Sequence, residues 1–293
     1  MSQPSGRIGA CIAACAIVVT AATARAHGIV GDRFFPATIT TDDPFAADEL
    51  ALPTVTVFNH ETDYDMEYSK SILPGFAVSL DFGYAVQTPP GGPHASGWSN
   101  LSVTPAVELW RNEAHEAIVT TGFIWEIGGT GSKAVADRGS TYTPELLFGK
   151  GFGDLPDTLA FLRPFAVTGQ MGLSIPSTTG SSNAFNWGGA VEYSLLYLQN
   201  NVHDEGFPDV VAHLTPIMEF ALQTRTDAEG GETTGTLNPG LISTAQYTQL
   251  AVEAIVPVNR ASGDAVGVIA QLHFYIDDIF PRSLGRPIFG GLR

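Results

Sequence analysis

Residues 75–85 read Gly-Phe-Ala-Val-Ser-Leu-Asp-Phe-Gly-Tyr-Ala. Phe76, Val78, Leu80, Phe82 and Tyr84 fall on one face of an extended chain, and Ala77, Ser79, Asp81 and Gly83 on the other. A period of two is that of a β-strand, whose successive side chains point to opposite sides. The apolar face is bulky and ends in an aromatic residue; the opposite face is small and polar. Residues 101–110 repeat the pattern, with Leu101, Val103, Pro105, Val107 and Leu109 opposite Ser102, Thr104, Ala106 and Glu108. So do residues 185–197, which set Phe185, Trp187, Val191, Tyr193, Leu195 and Tyr197 against Asn186, Gly188, Glu192 and Ser194. In 264–276, Val266, Val268, Ala270, Leu272, Phe274 and Ile276 oppose Gly267, Gln271, His273 and Tyr275. Further strands are read at 117–127, 141–150, 159–170, 209–223, 236–246 and 248–258, with a short pair at 54–60 and 64–71.

Alternating strands suit a soluble sandwich, with the apolar face as core, or a transmembrane barrel, with that face toward lipid. Three features favour the barrel. Aromatic residues cluster near strand ends (Tyr84, Phe185, Tyr197, Phe274), as membrane interfaces require. The polar faces carry almost no Lys, which water-facing sheets use to protect their edges. The gaps alternate in length: long at 87–100, 128–140, 171–184 and 224–235, shorter at 111–116, 151–158, 198–208 and before 248, with 259–263 as a short exception. Long external loops and short periplasmic turns produce this alternation. With both termini periplasmic, strand 75–85 runs outward, so none or two strands precede it and the total is ten or twelve. Counting the 54–60 and 64–71 pair gives the preferred reading. The expected fold is all-β, an antiparallel up-and-down transmembrane β-barrel of about twelve strands.

Composition narrows the alternatives. Lys and Arg number 14 against 30 Asp and Glu, a net charge of −16, which excludes a phosphate-binding face for nucleic acid. A hydrophobic content of 44% with 15% charged residues excludes a disordered chain. The 32 Gly and 19 Pro argue against a helical protein. At the N-terminus, Arg7 precedes an apolar run over 8–22 and the small-x-small site Ala24-Arg25-Ala26. This reads as a signal peptide, residues 1–26, cleaved before His27. Both cysteines, Cys11 and Cys15, lie within it, so the mature chain has no disulfide and no thiolate metal site. The expected organisation is a periplasmic N-terminal segment or plug over 27–53, the barrel over 54–277 and a periplasmic tail over 278–293. Outer-membrane lipid, the barrel-assembly machinery and a small-molecule solute are the expected partners.

If the apolar faces meet lipid, nearly every strand turns one carboxylate inward: Asp81, Glu108, Glu126, Glu145, Glu192, Glu219 and Glu253. Gln271 and His273 join them as candidates for a solute pathway. Such acids need water, counter-ions or partners, because unpaired burial costs several kcal/mol. They form either a wet acidic passage favouring cations or a hydrogen-bonded filling of a plugged lumen and its rims. The tail carries Arg282, Arg286 and Arg293, which either fold into the mouth toward those acids or extend into the periplasm. No G-x-S-x-G, H-E-x-x-H or phosphate loop is present. His60, His94, His115 and His203 fall in turns, and His213 and His273 are expected to point inward. His60-Glu61 with Asp63 and Asp65, and His203-Asp204-Glu205, read as solvated turns in preference to metal sites. No cofactor is expected.

Several segments point to a family: Phe34-Phe35-Pro36-Ala37-Thr38; Asp42-Asp43-Pro44 with Asp48-Glu49-Leu50; Thr141-Tyr142-Thr143-Pro144; and Phe148-Gly149-Lys150-Gly151-Phe152-Gly153-Asp154-Leu155-Pro156. Arg163-Pro164-Phe165-Ala166-Val167-Thr168-Gly169-Gln170 and Asp277-Asp278-Ile279-Phe280-Pro281 belong with them. Together they resemble a family of uncharacterised Gram-negative outer-membrane barrels, loosely similar to those associated with the meta-cleavage pathway of phenol degradation. The resemblance implies an outer-membrane transporter but carries over no transport residue. The chain departs from the usual outer-membrane ending in that Phe274 is followed by a tail. The preferred function is passage of small cationic or aromatic solutes. A lipid-modifying outer-membrane enzyme would need a His–Ser or His–acid pair at one membrane rim. A soluble periplasmic binding protein would need the apolar faces to meet in a core.

Overall fold

The computed structural model describes residues 28–226 and 231–290; the proposed signal peptide and Arg293 lie outside them. Twelve long strands close into one barrel. They are β1 (Glu49–Phe58), β2 (Glu61–Leu73), β3 (Phe76–Gln87), β4 (Leu101–Asn112), β5 (Ala117–Ile127) and β6 (Thr141–Gly151). The second half comprises β7 (Phe165–Pro176), β8 (Ala184–Tyr193), β9 (Leu214–Arg225), β10 (Thr233–Thr244), β11 (Thr248–Pro257) and β12 (Gly267–Tyr275). Each strand pairs antiparallel with its sequence neighbours, and β12 closes onto β1 from Glu49↔Tyr275 to Val57↔Val268. This is the up-and-down order expected from the sequence, and closure leaves no long sheet edge unpaired. A short strip, Ala95–Trp98, extends β3 at one end, with Trp98 opposite Tyr84.

The first strand pair is longer than its sequence signal, beginning at Glu49 in place of residue 54. A register shift between Ala51 and Thr54 breaks the strict alternation there. Three other boundaries move for local reasons. Residues 159–162, read as the start of a strand, belong to a 3-10 turn over 157–162 that follows Pro156, so β7 starts only after Arg163-Pro164. Asp209–Ala212 forms a helical turn behind Pro208, with an acid in its first turn, and delays β9 to Leu214. Strand β8 stops at Tyr193, where the Ser194 hydroxyl accepts the Tyr197 N–H at 3.1 Å and caps the turn Leu195–Tyr197. Tyr197 is therefore buried at the barrel end and is no part of an aromatic girdle. His213 likewise caps a helical turn, bonding to the Asp209 carbonyl, and lies before β9 instead of on an inward face.

Both ends of the described chain lie at one mouth, here the terminal end, with the connections 74–75, 113–116, 152–164, 194–213 and 245–247. The distal end carries 59–60, 88–100, 128–140, 177–183 and 258–266, and there β9 ends and β10 begins. The expected length alternation holds at three terminal turns and fails at two. Residues 152–164 and 194–213 fold into short helical turns, whereas the distal hairpin 59–60 is a two-residue turn. Asn59 and His60 there both take left-handed backbone angles (φ 49° and 65°), as a tight hairpin of matching twist requires.

Large apolar side chains cover the outside of the barrel on every side. Leu80, Trp125, Met171, Trp187, Leu241 and Val252 are all exposed, each on a different strand. Aromatic pairs mark the distal edge, with ring centroids 5.4 Å apart for Tyr84–Trp98 and 6.2 Å for Phe123–Tyr142, and Trp187 packs 6.1 Å from Phe220 nearer the middle of the wall. Phe165 and Tyr193, 4.7 Å apart, stand at the terminal edge. A water-soluble monomer rarely exposes a contiguous apolar patch beyond a few hundred Å². The apolar faces point outward around a closed ring and do not meet in a core, which overturns the soluble-sandwich alternative.

Candidate functional site

The barrel encloses the segment 28–48 that precedes β1. A small hairpin (Ile29–Val30 with Arg33–Phe34) enters at the terminal end, and the segment then runs through the lumen to Asp48, just before β1. Inward isoleucines seat it, although a watery lumen has no use for them. Val30 and Phe35 pack with Ile118 and Ala166, and Ile39 packs on Ala190, Ile217, Ile242 and Ala251. Polar contacts fix its course. Gln249 accepts the Ala37 N–H at 3.1 Å and donates to the Ala37 carbonyl at 2.7 Å. Glu219, fully buried on β9, accepts the N–H groups of Ile39 (2.8 Å), Thr40 (3.0 Å) and Thr41 (2.8 Å) and the Thr41 hydroxyl (2.8 Å). One carboxylate thus satisfies three consecutive backbone donors that no sheet or helix would reach.

At the terminal end, Arg33 is wholly buried. Its guanidinium stacks 3.8 Å over the Tyr197 ring, donates to the carbonyls of Arg163, Pro164 and Phe165, and lies 3.5 Å from Glu116. Tyr197 donates to Glu116 at 2.9 Å; burial and that carboxylate push its hydroxyl up to about 12, so it remains a donor. Nearby, His115 and Asp154 form a His–acid pair at 2.8 Å. Burial acts to raise Asp154, but the bonds from His115 and Lys150 outweigh it and hold the carboxyl below its usual value. Among the described residues, no serine or threonine hydroxyl is hydrogen-bonded to the His115 ring.

The inserted segment fills one side of the lumen and leaves a cavity of about 250 Å³ on the other. Strands β1 to β6 and β12 wall it, and Ala37–Phe45 of the segment faces them. Six carboxylates line it: Asp42, Asp43, Glu49, Glu67, Asp81 and Glu145. Among the described residues no Lys or Arg does. Glu67 and Asp81 are direct cross-strand partners, an arrangement of like charges that opposes sheet pairing unless water or a cation lies between them.

The nine candidates from the sequence divide into three groups. Asp81, Glu145, Gln271 and His273 line the cavity, with His273 Nε2 at 2.8 Å from Glu49 Oε2. Glu219 and Glu253 hold the inserted segment, Glu253 by a 3.1 Å bond from the Thr40 hydroxyl; Glu192 is sealed from solvent on β8. Glu108 and Glu126 sit at opposite rims. Arg111 grips Glu108 at 2.7 and 3.2 Å, and Glu126 accepts from Asn100 at 2.8 Å. Sequence reading missed Asp42, Asp43, Glu49 and Glu67. It also placed Asp63 and Asp65 in a turn, whereas they lie in β2 on the same face as Glu67. The signal was present in 61–67, where acids recur at every second residue. Of the tail arginines, Arg282 and Arg286 are exposed. The tail docks beside the barrel, with the Ile288 and Phe289 N–H groups bonded to the Ser71 and Ile72 carbonyls.

No protein-family model matches the chain, and no curated protein sequence does. Solved structures of similar course include a "KdgM porin" at 13% identity, covering 77% of this chain and 98% of that one with a TM-score of 0.49. The "KdgM porin in complex with disordered oligogalacturonate" is similar at 12% identity over 77% and 98%, TM-score 0.48. The "NanC porin" is similar at 9% identity over 78% and 98%, TM-score 0.49. Identities this low leave no residue to carry across to this chain.

Proposed function

We propose that this chain is an outer-membrane channel for small solutes, its lumen divided by its own N-terminal segment into a filled side and an acidic compartment that favours cations. The observation that carries the reading is the combination of a closed barrel, apolar and aromatic on all its outer faces, with a carboxylate-lined cavity inside. The exterior suits lipid, with aromatic residues at the interfaces. Inside, Asp42, Glu67, Asp81 and Glu145 face a space that no Lys or Arg among the described residues lines. Walls of one charge sign concentrate the counter-ion and repel its opposite. Glu108 and Glu126 act at the rims, where their bonded partners hold them in place. The inserted segment is a resident plug latched by Glu219.

The test is a reversal potential in a planar bilayer with potassium chloride at different concentrations on the two sides. Cation preference is the expected sign, and it should weaken as salt rises and screens the lumen. Anion preference would contradict the reading.

A further inference from the structure

A row of carboxylates on β2 leads from the distal end to the open compartment, which Glu67 lines. Asp63, Asp65 and Glu67 occupy successive inward positions of β2, and two residues along a strand are about 6.7 Å apart. Asp81 stands across from Glu67, and Gly83 across from Asp65. Gly83 makes room for the row: a Cβ there would come within 2.0 Å of Asp65 Oδ1. Asp42 and Glu145 continue the acidic wall into the cavity. The carboxylates are spaced along a line instead of converging, and among the described residues no three His, Cys, Asp or Glu groups gather closely enough to hold a metal ion.

A second observation lies in the same wall. Gln271, with 7% of its surface exposed, donates from Nε2 to Thr54 at 3.1 Å and leaves Oε1 without a partner. A buried acceptor that no protein group satisfies calls for a donor from elsewhere. The remaining lining is partly apolar, with Ile39, Phe45, Ile124 and Leu147 facing the acids. The site therefore combines evenly spaced negative charges, a spare acceptor and an apolar wall. A hydrated inorganic cation uses only the first of these. We infer that the compartment and the row leading into it bind a linear aliphatic di- or polyamine, one ammonium group between Glu67 and Asp81 and the next at Asp65 or Asp63, with its methylenes beside Ile39, Phe45 and Leu147. This deepens the channel reading by naming its solute class, and it rests on that reading only for passage, not for binding.

The test separates the two. The full barrel, folded in detergent, is titrated calorimetrically at neutral pH with 1,4-diaminobutane, n-butylamine and magnesium chloride. The diamine is expected to bind about tenfold tighter than the monoamine, the equivalent of one added charge-assisted hydrogen bond. Glu67→Gln and Asp81→Asn should each remove most of that preference, while Glu205→Gln, in the 194–213 connection, should not. The gel mobility shift on heating confirms that each variant is a closed barrel. Equal affinity for diamine and monoamine on the unsubstituted protein would overturn the inference, as would magnesium binding as tightly as the diamine with the same dependence on Glu67. Neither result depends on current through a membrane. A barrel that conducts without preferring the diamine refutes only this inference; one that binds the diamine but passes no current refutes only the channel.

Discussion

Replacing Glu219 by alanine is expected to raise the single-channel current several-fold. The carboxylate accepts three consecutive backbone N–H groups and one hydroxyl from Ile39, Thr40 and Thr41. Alanine leaves those donors buried without partners, at about 1–3 kcal/mol for each. Water must then enter to solvate them, and the Ile39–Thr41 stretch leaves its seat on β9. The Gln249 pair with Ala37 and the Arg33 anchor remain, so the segment is loosened in its middle and not lost. The recording should show frequent openings to a level above that of the unsubstituted protein. The variant must still shift on a gel when heated, which separates an opened lumen from a barrel that failed to close. Unchanged current through a closed barrel would mean that the segment does not obstruct the path.

Neutralising the open compartment should have the second largest effect. In the triple variant Glu67→Gln, Asp81→Asn, Glu145→Gln, three of the six lining carboxylates lose their charge without a change of volume. The reversal potential in a salt gradient is then expected to move from the cation side most of the way to zero, with conductance at low salt falling alongside it. The sign follows from the wall: fewer fixed negative charges concentrate fewer cations in the path. The direct opposition of Glu67 and Asp81 is also relieved, so the variant should fold at least as well as its parent. A reversal potential left unchanged would place the ion path elsewhere.

The two predictions draw on parts of the molecule that the sequence revealed to different degrees. The outward and inward faces of β3 were legible because Phe76 to Tyr84 alternates without interruption. Strand β9 was legible in type but not in start, because Pro208 and Asp209 turn the chain into a helical turn before Leu214. That each inward acid belongs to one of three environments was not legible. Glu219 and Asp81 look alike in sequence, each a lone acid on the small face of a strand. What separates them is the inserted segment, whose path depends on contacts such as Ala37–Gln249, 212 residues apart. Tyr197 shows the same limit from the other side. Its alternation with Tyr193 suggested lipid, but the Ser194 cap bends the chain and delivers the ring to Arg33. The acidic repeat over 61–67 needed only the strand assignment to become visible, and the tight turn at Asn59-His60 is what lets the strand begin so early.

The most direct test of the central claim is the accessibility of neighbouring positions on β3. Residues 28–293 contain no cysteine, so Leu80→Cys, Asp81→Cys and Phe82→Cys, each made in a protein lacking residues 1–26, are single-thiol proteins that can be placed in lipid vesicles. A charged, water-soluble thiol reagent is expected to modify the cysteine at 81 and to spare those at 80 and 82, which should react only with a lipid-soluble reagent. Modification at 80 and 82 with protection at 81 would turn the barrel inside out and contradict both the lipid-facing exterior and the acidic compartment.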